Sequence, residues 1–158
     1  MYKRALVPLD GSPVAETILP FILEIAGPLD MEVVLLRVVQ PVPSKVLEDS
    51  HQVVAEAVEA RQIDAEEYLA ALAVELRSKG ARVETRVHRG TPAAEIVAGA
   101  RLTQADLIAM TTHGRSGLGR LMFGSVAQAV LRHSDIPVFL MRATEAQVAR
   151  RAAREAVP

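Results

Sequence analysis

The sequence has no cysteine and few aromatic residues, and both shortages limit what the protein can be. None of its 158 residues is cysteine or tryptophan, and aromatic residues make up 3% of the chain. The absence of cysteine excludes disulfides, thiolate metal sites and cysteine nucleophiles. Half of the residues are hydrophobic, so the core of this single domain must be built from Val, Leu, Ile and Ala. That composition favours helices packed on aliphatic strands.

The chain also lacks an excess of either charge and any long apolar run. Its formal net charge is -1, and no basic stripe of the kind that binds nucleic acid is visible. The N-terminal apolar run is too short for a signal peptide, and no segment approaches the roughly 20 apolar residues of a membrane span. We therefore expect a soluble cytoplasmic protein with neither a nucleic acid nor a membrane as its partner.

Five short apolar runs alternate with longer segments of helical period. Runs such as VVLL and LIAM do not alternate polar with apolar residues, which is typical of parallel strands covered on both faces. The pattern predicts a single doubly wound, Rossmann-like α/β domain, with helices on both faces of a five-stranded parallel sheet. The predicted strands are ALVPL (5–9), EVVLLRVV (32–39), ARVETRVH (81–88), DLIAMT (106–111) and PVFLM (137–141).

Capping residues mark several helix starts. Ser12-Pro13 and Thr91-Pro92 each place a hydroxyl side chain before a proline at the first helical position. Ser125, followed three residues later by Gln128, is typical of a capping box and predicts that a helix follows. Residues 143–158, beyond the last strand, form a C-terminal tail that is either a short helix or disordered. Because its apolar face is weak, we expect it to be solvated or disordered.

The stretch TTHGRSGLGRLMFGS, residues 111–125, holds four of the nine glycines of the chain. It follows the fourth predicted strand, and ligands of open parallel sheets bind outside the carboxyl ends of the strands, where strand order reverses. The helix predicted behind it adds a partial positive charge and unpaired N–H groups. Glycine also lets a backbone approach phosphate oxygens closely. The residues by themselves therefore predict an anion site.

Three common phosphate sites do not fit this stretch. A P-loop needs a lysine where Ser125 stands, and it follows the first strand. A dinucleotide fingerprint also follows the first strand, whereas Gly117 and Gly119 follow the fourth. A phospho-receiver domain needs an acidic cluster, a phosphorylated Asp and a Lys after strands one, three and five. After the first strand this chain has a single acidic residue, Asp10. The segment VHRG after the third strand contains no Asp, and the segment FLMR at the end of the fifth contains no Lys.

Three segments carry a resemblance that extends from Met1 to about Arg142. They are ALVPLDGSPVAE, VHRGTPAAEIV and DLIAMTTHGRSGLGRLMFGSVAQAVLRHSDIPVFLMR, and they are similar to the first strand, the third helix entrance and the nucleotide loop of universal stress proteins. The resemblance implies one universal stress protein domain over residues 1–142, with strand order 3-2-1-4-5. It also implies a homodimer through the fifth strand, which would protect an apolar sheet edge, and a protein partner that the sequence does not name.

The ATP-binding branch of that family is marked by Gly-x2-Gly-x9-Gly-[Ser/Thr]. Here Thr111 replaces the first glycine, and the later positions are occupied as the motif requires. The resemblance therefore implies ATP as the ligand, with Mg²⁺ on its phosphates. The ligand-binding residues that it implies are Pro8, Leu9, Asp10, Val38, Met110, Thr111, Gly114, Arg115, Gly124, Ser125 and Val126.

Individual roles within this set leave alternatives open. Asp10 would contact the ribose or the metal, or it would only bond to the backbone of the turn that follows. Val38 would meet the adenine edge through its backbone. Ser125 would cap the helix with or without a phosphate contact, and Arg115 would neutralise phosphate charge or lie on a solvated loop surface.

Three functions remain open at this point. The first is an ATP-binding stress-response module that acts through its homodimer and protein partners. The second, for which Thr111 argues, is a stress protein that acts by dimerisation and protein contacts without nucleotide. The third is a weak ATPase. No nucleophile is paired with a base and the histidines lack metal-ligand spacing, so we expect neither catalytic residues nor a protein-held metal, and slow ATP hydrolysis at most.

Overall fold

The computed structural model describes residues 1–41, 51–112 and 124–156. All five strands are parallel and lie in the order β3-β2-β1-β4-β5. The predicted five-stranded sheet in the order 3-2-1-4-5 is confirmed, and each strand begins and ends within one residue of its predicted bounds. The strands are β1 (Arg4–Leu9), β2 (Glu32–Val39), β3 (Arg82–Arg89), β4 (Leu107–Thr112) and β5 (Val138–Arg142).

Six helices lie in the described residues, and no helix among them is long and apolar enough to cross a membrane. The Ser12 hydroxyl caps the first helix as predicted, accepting a bond from the Ala15 N–H at 3.2 Å. Thr91 also precedes a helix-starting proline, but its side chain makes no capping bond. The helices are α1 (Pro13–Glu16), α2 (Ile18–Leu29), α3 (His51–Ser78), α4 (Pro92–Leu102), α5 (Ser125–His133) and α6 (Glu145–Glu155).

The sheet is covered on both faces. On one face α2 and α3 pack against β1 and β2, with Val7 and Leu35 completely buried. On the other face α4 and α5 pack against neighbouring strand residues, including Leu6 and Ile108. Because successive side chains of a strand point to opposite faces, burial of both faces explains the continuous apolar runs of the sequence.

The capping box predicted at Ser125 is wrong. Ser125 is the first helical residue of α5, and Gly124 occupies the cap position without any side-chain capping bond. The helix starts one residue earlier than the pattern indicates because the Gly124 carbonyl already accepts a helical bond from the Gln128 N–H at 3.0 Å. The first N–H groups of α5 therefore have no side-chain cap from residue 124.

The C-terminal tail forms the docked helix α6, so the expectation of a solvated or disordered tail is wrong. Thr144 and Gln147 form a capping box at its start. Arg151 on this helix is only 7% exposed and donates hydrogen bonds to Glu16 of α1 and Glu75 of α3. A buried arginine, rather than an apolar stripe, attaches the helix. A search for apolar periodicity therefore overlooks it.

Candidate functional site

A cavity of about 560 Å³ opens at the carboxyl ends of β1, β2 and β4. Helices α3, α4 and α5 complete its walls. In the sheet order, β1 lies between β2 and β4, which is where the strand order reverses. Ligand sites of open parallel sheets lie at such reversals, and small-molecule sites commonly measure roughly 300 to 1,000 Å³. The cavity therefore has both the position and the size of a ligand site.

The structure brings most of the predicted ligand-binding residues together in this cavity. Gly114 and Arg115 lie outside the described residues. That the others contact a ligand stays a prediction. The predicted residues that line the cavity are Pro8, Leu9, Asp10, Val38, Met110, Thr111, Gly124, Ser125 and Val126.

The start of α5 forms one wall of the cavity. Gly124, Ser125 and Val126 all line it, and the first N–H groups of an α-helix have no acceptor within the helix. A Cβ added at Gly124 would meet no atom of the described residues within 4 Å, and the φ angle of -56° is one that any residue adopts. Packing within the described residues therefore does not require glycine here, and none of those residues fills the space beside the helix start.

Asp10, at the end of β1, holds the turn that leads into α1. Its Oδ1 accepts bonds from the Ser12 N–H at 2.9 Å and the Ser12 hydroxyl at 2.6 Å. The turn-forming role considered for Asp10 is therefore real. Oδ2 accepts no hydrogen bond from the described residues, and Asp10 also lines the cavity. The second oxygen is free to face a ligand hydroxyl or a cation.

Thr111 lines the cavity from the end of β4, but its hydroxyl is directed toward the first helices. The Thr111 Oγ1 lies 3.4 Å from the Ala15 carbonyl, to which it donates, and 3.3 Å from the Thr17 Oγ1. The Thr17 hydroxyl in turn donates to the Val14 carbonyl at 2.6 Å. Threonine at this motif position thus joins β4 to the α1–α2 junction, a contact that glycine would not make.

Charged residues that the motif does not predict also line the cavity. Arg37 enters from β2, and Arg61 and Asp64 enter from α3. The one available signal for Arg37 was its position inside the apolar run EVVLLRVV, where a charged residue interrupts a strand that is otherwise buried. Arg61 and Asp64 carry no such signal because both lie on a long, polar helix.

Arg37 packs against a tyrosine whose own position is fixed. The guanidinium carbon of Arg37 lies 5.0 Å from the ring centroid of Tyr68, within the range of a cation–π contact. The Tyr68 hydroxyl donates to the Glu16 Oε1 at 2.6 Å. Burial, reinforced by this hydrogen bond to Glu16, raises the pKa of Tyr68, so the phenol stays neutral and remains a donor.

Within the described residues, no group of three or more histidine, aspartate or glutamate side chains is placed to hold a metal ion.

These features define an open parallel α/β protein with a ligand-sized cavity at the reversal of strand order. The model of the universal stress protein family matches residues 1–142. Over 144 residues the chain is 33% identical to the universal stress protein MJ0531 of Methanocaldococcus jannaschii, an alignment that covers 90% of this chain and 83% of that relative. The chain belongs to the universal stress protein family.

Solved structures share the same fold. The MJ0577 protein, also from Methanocaldococcus jannaschii, superposes with a TM-score of 0.77 at 28% identity, over 92% of this chain and 99% of the other. A universal stress protein from Archaeoglobus fulgidus in complex with dAMP superposes with a TM-score of 0.63 at 23% identity, over 88% and 97% of the two chains. At that lower identity the likeness shows the fold alone.

Proposed function

We propose that this chain binds ATP in the cavity between β1, β2, β4 and the start of α5, with Mg²⁺ on the phosphates. The observation that carries the proposal is the open space beside Gly124, where a Cβ would meet none of the described residues within 4 Å. A glycine that packing does not require, at an uncapped helix start facing a cavity, suits the close approach of a phosphate to the backbone.

The other walls of the cavity suit the nucleoside and the metal. Val38 and Met110 line it at the ends of β2 and β4, where their apolar side chains favour a base. The Oδ2 of Asp10, which accepts no hydrogen bond from the described residues, is of the oxygen type that Mg²⁺ prefers, and Mg²⁺ is commonly held by one or two carboxylates together with substrate phosphates. The complex of an Archaeoglobus fulgidus universal stress protein with dAMP supports a nucleotide as the class of ligand for this fold.

The biological role that we propose is a nucleotide-dependent stress-response module in the cytoplasm. It would act through a homodimer formed by β5 and through a further protein partner. Among the strands of residues 1–41, 51–112 and 124–156, β5 pairs only with β4, and its residues from Val138 to Met141 are partly exposed. An apolar strand with an unpaired edge is stabilised when a second strand covers it.

Two experiments test this role. Small molecules released by denaturing freshly purified protein would be identified by mass spectrometry, and we expect an adenine nucleotide. Light scattering would give the mass of the native particle, and we expect twice the 17.0 kDa of the chain. A protein that contains no nucleotide, cannot be loaded with ATP and has the mass of a monomer would contradict the proposal.

Thr111 supports a second candidate function, a stress protein that acts by dimerisation and protein contacts without nucleotide. Its side chain lies where the ATP-binding motif has glycine, and its hydroxyl contacts Ala15 and Thr17 of the same chain. A residue that serves packing at this position suits a family member that does not keep a ligand. Restoring glycine at position 111 separates the two candidates.

A further inference from the structure

Arg37 is a cation in the cavity wall that forms no ion pair with the described residues. Within residues 1–41, 51–112 and 124–156, its guanidinium makes neither a hydrogen bond nor an ion pair, and its one recorded polar contact is with the face of Tyr68. Other arginines near the ends of this sheet are paired: Arg4 binds Glu32, and Arg82 binds Asp30. Arg37 is partly buried and lines the cavity. Within the described residues, the N–H donors of its guanidinium therefore remain without an acceptor.

The surroundings of Arg37 hold its guanidinium in place. Gly11 has a φ angle of +86°, and a Cβ at this residue would overlap the guanidinium. On another side, the ring of Tyr68 is fixed by its bond to Glu16, which is completely buried. Glu16 is held in turn by Arg151. The turn after β1 and helix α3 thus form a slot that fits a planar cation.

We propose that Arg37 contacts an anionic oxygen of the ligand bound in this cavity. A partly buried cation is costly unless it meets an opposite charge, and a planar guanidinium with several donors suits phosphate oxygens. The inference rests on the proposed function, since it needs a phosphorylated ligand in the same cavity. The phosphates would then be contacted at two places, by Arg37 at the end of β2 and by the helix start at Gly124.

The test compares Arg37→Met with the wild-type protein by calorimetry, using ATP, ADP, AMP and adenosine in turn. Methionine keeps most of the aliphatic length and removes the charge. We expect ATP to bind roughly 10- to 100-fold more weakly, as when a hydrogen bond to a charged group is lost, and adenosine to bind as it does to the wild-type protein. Arg86→Met is the matched control, because Arg86 is exposed on neighbouring β3 and, among the described residues, pairs with Glu84 alone. The control should bind all four ligands normally.

Different outcomes overturn different claims. If Arg37→Met binds ATP as tightly as the wild-type protein, or loses ATP and adenosine affinity equally, Arg37 does not contact the phosphates. If the wild-type protein binds none of the four ligands, both the proposed function and this contact are wrong. Circular dichroism establishes that the variant is folded. Arg37→Gln takes its place in the same comparison if the methionine variant does not fold.

Discussion

Arg151 of the last helix and Glu16 of the first form an ion pair in which the two side chains are 7% and 1% exposed. Glu75 on α3 joins the pair, accepting bonds from the Nη1 and Nη2 of Arg151 at 3.0 and 2.9 Å. One arginine side chain thus connects α6 to α1 and α3. Arg151 lies outside the segment that matches the family model, which ends at residue 142, so this connection adds to the family domain.

Removing the charge of Arg151 should destabilise the protein strongly. Arg151→Met leaves the buried carboxylate of Glu16 with Tyr68 as its one remaining hydrogen-bond donor among the described residues. Removing one partner of a buried ion pair typically lowers the unfolding free energy by about 3 to 5 kcal/mol. Urea unfolding followed by circular dichroism measures this loss. Arg150→Met, at the exposed neighbouring position, should change stability by less than about 0.5 kcal/mol, and equal effects of the two substitutions would contradict the role of Arg151.

The same cluster should make stability depend on pH in the acid range. Hydrogen bonds from Arg151, and then from Lys79, outweigh burial and lower the pKa of Glu75 from 4.5 to about 2. Because the pKa is lower in the folded state, the stabilisation is present above about pH 4.5 and is lost as the pH falls toward 2. Glu75→Gln should therefore flatten the decline of unfolding free energy over this interval. Glu59→Gln, at an exposed position of the same helix, should keep the wild-type slope, and an unchanged slope in Glu75→Gln would refute the assignment.

The sequence predicts the sheet well because its strands are local features. The three central strands, β1, β2 and β4, are runs of mostly buried apolar residues, and such a run can be identified without knowing its neighbours. The connection made by Arg151 is different in kind. Its partner Glu16 lies 135 residues away along the chain, and no local pattern indicates that an arginine in the C-terminal tail meets a buried carboxylate.

The cavity was predictable to the extent that a motif describes it. The motif identifies Gly124 and the wider family resemblance adds Val38, and both residues line the cavity. It does not include Arg37, Arg61 or Asp64, because these side chains reach the cavity through the packing of β2 and α3. The Ser125 cap was predicted wrongly because capping-box spacing does not distinguish a helix that starts at Ser125 from one that starts after it.

A methyl group at Gly124 should reduce ATP affinity more than it affects folding. Gly124→Ala places a Cβ in the open space at the start of α5, where we expect the phosphates, and affinity should fall about tenfold or more, equivalent to at least ~1.4 kcal/mol. Alanine is a poorer cap residue than glycine, so the unfolding free energy should fall by less than about 1 kcal/mol. Calorimetry with ATP and urea unfolding measure the two effects.

Gly27→Ala is the control for this substitution. Gly27 lies inside α2, and a Cβ there also has open space around it. Alanine in a helix interior should raise stability by about 0.5 to 1 kcal/mol without changing ATP affinity. If both alanine variants bind ATP like the wild-type protein, phosphates do not approach Gly124.

Thr111→Gly should lower stability while leaving ATP affinity within about threefold of the wild-type value, a difference of less than ~0.7 kcal/mol. The Thr111 hydroxyl contacts the α1–α2 junction, and glycine within a strand costs roughly 0.5 to 1 kcal/mol. Thr111→Ser keeps the hydroxyl and should retain more stability than the glycine variant. If ATP binds only after glycine is restored, the natural protein is the kind of stress protein that acts without nucleotide.

Calorimetric titration of the wild-type protein with ATP and Mg²⁺ is the direct test of whether this chain binds ATP. We expect saturable binding of one ATP per chain below millimolar concentration, together with a higher unfolding temperature in the presence of ATP. Absence of both binding heat and thermal stabilisation at millimolar ATP would contradict it.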